Sequence, residues 1–406
     1  MKRRLLSLLT VGHIVTDINQ GALPALLPFL MVSHNLSYSA AASLVFAANI
    51  SSSIIQPMFG YFADKISAPW IMPMGLLLAG SGLAVTGLTS NYWAIFLAVA
   101  ISGIGIAAFH PEGARLANIA AGDKKATGVS TFTAGGNVGF AVGPLIATMA
   151  LTALGLNGTL LLLIPVIIVA LLFISQIKTI KECQQNDSIK SVNKTQDLPD
   201  DEWNSFFRLT GVITCRSIVF FGLNTFLPLY WINVLKQTKA SGSTSLTILL
   251  IMGAIGTLIA GRMADKYGHR NIIRIGFGAL APVLFIFVHT QDIKMATLML
   301  IPVGFTLFTP FSPMVVLGQK YLPNHMGLAS GVTLGLAVSI GGAFAPVLGV
   351  IADRYGVQTV LELLTIMPVL ALLISFLLTV PKVDKPERSV ISKNHYKGLD
   401  YQGKSI

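Results

Sequence analysis

Apolar runs long enough to cross a bilayer recur along nearly the whole chain, broken by short polar connections. A hydrocarbon core about 30 Å thick needs roughly 20 apolar residues per helix. The runs predict helices over about 5–33, 39–63, 70–89, 92–118, 126–153 and 158–178, then about 205–234, 242–264, 271–290, 295–318, 326–351 and 357–380. They do not alternate apolar with polar positions, so barrel strands are excluded. The opening Met1-Lys2-Arg3-Arg4 and the apolar residues behind it imitate a signal peptide. The apolar segment is too long, and no small-residue cleavage site follows, so it reads as the first span. Residues 179–204 are polar and hold Asp197, Asp200, Asp201 and Glu202. The expected fold is an all-α integral membrane protein with twelve transmembrane helices in two six-helix, pseudo-symmetric bundles. The bundles are residues 1–178 and 205–380, joined by the linker 179–204 and followed by a polar tail, 381–406.

Composition sharpens this picture. Of 406 residues, 53% are apolar and only 11% charged, where a soluble domain carries about 25%. Too few charges remain to cover a soluble surface, which excludes a soluble enzyme or a disordered chain. The net charge of +11 would suit a nucleic-acid binder, but its placement says otherwise. Only Lys236, Lys239, Lys294 and Arg354 fall in odd-numbered connections, and Arg216 lies within a span. The rest of the 28 basic residues sit at the amino terminus, in even-numbered connections or in the tail. Basic loops stay in the cytoplasm, so both termini and the linker are expected there, with the protein multi-pass in the cell membrane. Cys183 and Cys215 have neither a disulfide framework nor metal-ligand spacing.

The two halves repeat at an offset of about 200 residues. Gly60-Tyr-Phe-Ala-Asp64-Lys65 matches Gly261-Arg-Met-Ala-Asp265-Lys266, and Phe109-His110-Pro111 matches Phe311-Ser312-Pro313. Gly128-Val129-Ser130 matches Gly331-Val332-Thr333, Gly143-Pro144 matches Ala345-Pro346, and Leu27-Pro28 matches Leu227-Pro228. A duplicated six-helix unit is a transporter architecture, with substrate held near the midplane between the halves.

The Gly-x-x-x-Asp-Lys copies at the ends of spans two and eight resemble the signature loop of the major facilitator superfamily. The second copy runs to Arg270 and is the fuller one. The first continues Ile-Ser-Ala-Pro-Trp, without the usual Gly and second basic residue. Gly135-Gly136-Asn137-Val138-Gly139 with Gly143-Pro144 is similar to the Gly-Pro motif of antiporters in that superfamily. The Arg motif usual in span four is replaced by Phe109-His110-Pro111-Glu112-Gly113-Ala114-Arg115. That segment resembles the fosmidomycin-resistance branch, as do His13-x-x-x-Asp17 with Asn19-Gln20, Gln56-Pro57, and Gly349-x-Ile-Ala-Asp353. The resemblance spans about residues 10–380 and implies alternating access, with spans one and seven facing the cavity and Asp64, Lys65, Asp265, Lys266 and Arg270 as gate residues.

Ionisable groups inside a span are costly, and are functional candidates for that reason. His13 and Asp17 share a helix face, and Asp17 lies about 18 Å along its helix, near the midplane. His110 and Glu112 flank Pro111, where a break in the helix would turn both inward. Arg115 is the natural i,i+3 partner of Glu112, so that pair is either functional or a structural ion pair. Arg216, about 16 Å along span seven, is the one basic side chain deep in a span. It is placed to grip a carboxylate or phosphonate, or to serve as counter-ion of Asp17. The amides Asn49, Gln56, Asn137 and Asn224 either line the path or bond between helices. Gly135, Gly139 and Gly143, with Pro144, mark a helix-packing seam.

Together these features point to a secondary transporter, not an enzyme: no phosphate loop, nucleophile motif or zinc motif occurs. The reading is a proton-coupled antiporter that exports a small drug or phosphonate-like anion. Protons would be carried by Asp17, Glu112, His13 and His110, and substrate bound by Arg216 and the amides. No cofactor, nucleic acid or second subunit is expected beyond the proton gradient and the bilayer. One alternative is a metal or metal-chelate exporter using His13, Asp17, His110 and Glu112 as ligands. The other is a proton-coupled uptake symporter.

Overall fold

The computed structural model describes residues 2–65, 68–122, 125–188, 200–325, 328–329 and 332–382. The N-terminal half contains α1 (Arg3–His34), α2 (Tyr38–Lys65), α3 (Ile71–Val85), α4 (Tyr92–Ala121), α5 (Lys125–Leu154) and α6 (Leu163–Ser175). A further helix, α7 (Ile177–Ser188), follows within the polar linker. The C-terminal half contains α8 (Trp203–Asn233), α9 (Lys239–Tyr267), α10 (His269–Val288), α11 (Ile293–Phe308) and α12 (Phe311–Tyr321). It is completed by α13 (Ala337–Ala343), α14 (Ala345–Tyr355), α15 (Val357–Leu364) and α16 (Ile366–Phe376). Taken in order, these helices occupy the twelve expected spans. Among the described residues, nine stretches are long and apolar enough to cross a membrane, and one of them, Thr131–Ser175, contains two spans. Ile71–Val85 is a shorter apolar helix.

Among the described residues, four spans are not single α-helices. Span eleven parts at Phe344, between α13 and α14, and proline accounts for much of the rest. Span ten breaks between Phe308 and Phe311, at Pro310, which cannot donate to the carbonyl four residues back. Span twelve breaks at Thr365, three residues before Pro368, and the Thr365 hydroxyl donates to Glu362 O (2.6 Å). Span six opens as a 3-10 helix, Gly155–Leu162, with Gly155 at φ +59°. Elsewhere packing overrides proline: α4 runs unbroken through Pro111, held by the fully buried Phe109 and Leu116 on either side.

Each half has its own apolar core. Phe206, Leu223, Phe226, Trp231, Phe277 and Phe287 centre the C-terminal core. The N-terminal half has one cluster around Leu9, Phe109 and Phe173 and another around Leu26, Leu44 and Leu151. Helix α1 lies on α5 along the glycine seam. A Cβ at Gly143 would come within 2.6 Å of Ile18 O, and one at Gly135 within 2.6 Å of Thr10 Cγ2. Pro144, next in sequence, is buried.

The start of α1 and the end of α4 lie together, joined by Lys2 N–H donating to Ala120 O (2.7 Å). At the corresponding end of the C-terminal half, Glu202 N–H donates to Tyr321 O (2.6 Å), and the Glu202 carboxylate accepts from Lys382 N–H (2.6 Å). We call this the terminal end. Hydrogen bonds join the halves at the opposite, far end. Asp353 accepts from the backbone of Tyr38 (2.7 Å) and Ser39 (3.0 Å). Asn233 donates to the Tyr38 hydroxyl (2.9 Å), and Thr148 meets Ser243. Glycine permits the close approach, since a Cβ on Gly349 would lie 2.6 Å from Ser39 Cα.

Candidate functional site

A cavity of about 370 Å³ lies between the halves. α1 contributes Asp17 and Gln20, α2 Asn49 and Gln56, α4 His110, and α5 Asn137. Arg216 and Asn224 of α8 face them from the C-terminal half, with Thr257, Phe308 and Phe311. Both halves thus supply polar side chains to one space.

On the N-terminal wall, Asp17 is the centre of a three-residue cluster. Its Oδ1 is 2.8 Å from His110 Nε2, and its Oδ2 is 3.3 Å from His13 Nε2. The other ring nitrogen of His13, Nδ1, lies 2.8 Å from Phe132 O, and the His13 ring stacks on Phe132 with centroids 4.0 Å apart. A carbonyl only accepts, so Nδ1 carries a hydrogen. With Nδ1–H on the carbonyl, Nε2 is the atom that faces Asp17 Oδ2. His110 Nε2 and Asp17 Oδ1 share a hydrogen bond, and the other His110 ring nitrogen is not part of it.

The C-terminal wall carries Arg216, which is buried (4% exposed). Its Nε–H donates to Leu307 O (3.1 Å), a last-turn carbonyl beside the break at Pro310. The guanidinium carbon lies 4.7 Å from the Phe311 ring centre, 5.0 Å from Phe308 and 5.6 Å from Phe220. The rings and Leu307 hold the group in place in the cavity wall. Arg216 is not within ion-pair distance of any carboxylate among the described residues. Both Asp17 and Arg216 line the cavity, but the partners of Asp17 are histidines. The counter-ion expectation for Arg216 is therefore corrected: desolvation of its charge is offset by ring faces and a carbonyl.

The break expected at Pro111 does not form, so His110 and Glu112 diverge as two residues in a regular helix do. Glu112 does not line the cavity. It is 2% exposed and pairs with Arg115 through two contacts of 3.1 Å, Nε to Oε2 and Nη2 to Oε1. Asn49 donates to Val45 O (2.8 Å) in its own helix, and Asn224 Oδ1 is buried without a partner. Among the gate candidates, the side chains of Asp64 and Lys65 lie outside the described residues. Asp265 stands 4.0 Å from His269, Lys266 lies over the Tyr267 ring at 5.1 Å, and Arg270 Nε is buried without a partner.

Some of the site escaped the sequence. Gly136 was visible only as one glycine in a motif, yet a Cβ there would lie 2.6 Å from Asp17 Oδ2. Its missing side chain is the space the cluster occupies. Phe132, Phe220, Phe308 and Phe311 read as ordinary span residues, and nothing in the local pattern marks them as supports for His13 and Arg216. The three ligand atoms of His13, Asp17 and His110 lie within 4.8 Å of one another. They form a donor set that would suit a divalent cation, without the fourth ligand once expected from Glu112.

Two pseudo-symmetric six-helix bundles around a shared polar cavity define a membrane carrier. The chain belongs to the Major Facilitator Superfamily, whose family model matches residues 9–346. It is 27% identical over 376 residues to the fosmidomycin resistance protein of Escherichia coli (strain K12), covering 92% of each chain. It is 29% identical over 381 residues to the uncharacterized MFS-type transporter YfnC of Bacillus subtilis (strain 168), again covering 92% of each. Among solved structures, it is similar to a bacterial homolog of the human lysosomal transporter Spinster in its inward-facing and occupied conformation. That match has TM-score 0.78 and 14% identity, over 93% of this chain and 96% of the other. The nucleoside transporter NupG matches with TM-score 0.70 and 16% identity, over 92% and 98%. The protein is thus a secondary transporter of a small solute and not an enzyme.

Proposed function

We propose that this transporter exports a small oxyanion in exchange for protons. The observation that carries the reading is the pairing of unlike walls in one cavity. A carboxylate–histidine cluster able to take up a proton faces a guanidinium, a group that suits a carboxylate, phosphate or phosphonate. The similarity to the fosmidomycin resistance protein of Escherichia coli supports export. The distribution of basic residues supports the terminal end as cytoplasmic, in the cell membrane. The chain acts as a monomer, because one chain supplies both walls.

In the cycle we propose, the far end is closed by Asp353 and Tyr38 while substrate enters and pairs with Arg216. The bundles rock, substrate leaves on the far side, and protons taken up there load the cluster of Asp17, His13 and His110. The protonated carrier returns and discharges them at the terminal end. Gln20, Asn49, Gln56 and Asn137 bond to the polar body of the substrate. Glu112 stays paired with Arg115 and takes no proton in this scheme. Gating by Asp64, Lys65, Asp265, Lys266 and Arg270 is part of the same proposal.

Substrate-dependent proton flux in liposomes tests the reading, screened over phosphonates, lipophilic cations and divalent metals. Proton movement opposite to phosphonate movement supports it. Movement in the same direction makes the protein an uptake symporter. Flux driven only by lipophilic cations ends the anion reading. The convergence of His13, Asp17 and His110 favours one second reading, a divalent metal or metal chelate as cargo. Saturable metal flux lost in Asp17→Asn, without phosphonate flux, would establish that instead.

A further inference from the structure

A second cavity, of about 520 Å³, lies at the terminal end of the N-terminal bundle, between the start of α1 and the junction of α6 with α7. Its polar lining includes Arg3, Arg4, Ser175 and Gln176, and its apolar lining includes Leu8 and Leu172. Among the described residues no acidic side chain lines it. We propose that it binds one anionic phospholipid, with the headgroup phosphate on Arg3 and Arg4 and an acyl chain along Leu8 and Leu172. The inference is independent of the transported substrate.

Depth carries the argument. Helix α6 exposes Ile164, Ile168, Leu171 and Leu172, an apolar row facing outward from the bundle. In a membrane protein such a row is the lipid-contacting surface. The row ends at Ser175, and the polar and basic lining begins there, where acyl chains give way to headgroups. Leu172, 48% exposed, belongs to both the row and the cavity wall. A ligand filling this space must therefore be apolar along one wall and anionic at the other end. Free phosphate has nothing to place on the leucines, and nucleic acid cannot reach membrane depth.

The site is also held in shape. The backbone of Lys2 is tied to Ala120 O (2.7 Å), which fixes the start of α1 against α4. Ile180 of α7 is fully buried in the same core cluster as Leu5 and Phe173. That anchorage sets the junction at Gln176. The Thr179 hydroxyl donates to Gln176 Oε1 (3.5 Å), which leaves the amide NH2 as the donor of that side chain. Basic pockets between membrane helices at a headgroup surface recognise anionic lipid in this way. On the orientation proposed above, the leaflet is the cytoplasmic one.

The test uses the full chain in neutral detergent, read by native mass spectrometry and by thermal unfolding. Phosphatidylglycerol, phosphatidylethanolamine, and inorganic phosphate with glycerol are added in separate arms. We expect phosphatidylglycerol to remain bound as a single adduct and to raise the melting temperature, while the other two do neither. A variant with Arg3→Gln and Arg4→Gln should hold phosphatidylglycerol about 25-fold more weakly, at roughly fivefold per side chain. Leu172→Gln should weaken retention with no change in charge. Equal retention of both phospholipids, an equal thermal shift from inorganic phosphate, or undiminished phosphatidylglycerol binding in the double variant would each overturn the proposal. Because Arg3 and Arg4 are exposed, the lipid-free melting temperature should not move, and a fall there would assign them to folding and overturn it as well.

Discussion

Asp353, at the end of α14, caps the helix that begins at Tyr38 in the other half of the molecule. Its carboxylate accepts from the first backbone N–H groups of α2, at 2.7 Å from Tyr38 and 3.0 Å from Ser39. A helix N-terminus is left with unpaired donors and favours negative charge. Here a domain contact supplies both the acceptor and the charge, so the cap exists only while the far end is closed. Losing a cap costs about 1 kcal/mol. Asp353→Ala should therefore shift the equilibrium about fivefold toward opening at the far end. The rate of maleimide labelling at an introduced Ser52→Cys, with reagent added from that side, should rise accordingly. An unchanged rate removes the cap from the gate.

The same contact has a defined pH response. Burial pushes the Asp353 carboxyl up, but hydrogen bonds from Ser39 and Tyr38 outweigh it and hold the group below the ordinary carboxylate range. A depressed value means that the latch is fully formed above the ordinary carboxylate pKa, about 3.9, and is lost as pH falls through the lower one. Between pH 5 and 8 the latch should not respond. Any pH dependence of transport in that window should then persist in Asp353→Asn.

That dependence should vanish in Asp17→Asn. The amide keeps the size of the side chain but removes the charge that faces His13 and His110. We expect substrate-driven proton flux to fall to background, with the protein still inserted and folded by size-exclusion profile. His110→Gln should reduce flux while leaving the His13–Asp17 pair. Unchanged pH dependence in Asp17→Asn removes this carboxylate from the proton path.

Arg216→Lys preserves charge but forfeits the Leu307 bond and the planar fork of the guanidinium. Charged hydrogen bonds contribute about 1.5–3 kcal/mol, so anion transport should weaken about tenfold or more in Arg216→Lys and further in Arg216→Gln. Normal phosphonate flux in both variants would make Arg216 a structural residue.

Glu112→Gln should behave differently from Asp17→Asn. Removing one partner of a buried ion pair costs about 3 kcal/mol, and Glu112 is 2% exposed beside Arg115. We expect a lower melting temperature in detergent with proton coupling retained in the folded fraction. Lost coupling at full stability would return Glu112 to the proton path.

Much of the architecture was legible along the chain. Spans, repeat and linker follow from apolar run length and from the spacing of short motifs, because a helix in lipid must satisfy its backbone internally and show an apolar surface. His13 and Asp17 could be placed on one face, four residues apart, by helix geometry alone. Interruption by proline was less readable. Pro310 breaks its span and Pro111 does not, and the difference lies in whether surrounding packing compensates for a lost hydrogen bond.

The membrane-spanning segments, their duplication and the scarcity of buried charge are all written along the chain. Which charges meet is settled by how the helices pack. His110 joins Asp17 from 93 residues away, Arg216 finds a carbonyl and three rings instead of a carboxylate, and Glu112 turns to Arg115. The reason is physical. Burial along a helix depends on local composition, whereas the partner of a buried polar group depends on which helices pack side by side. That packing is set by distributed contacts such as Gly136 yielding its volume to Asp17.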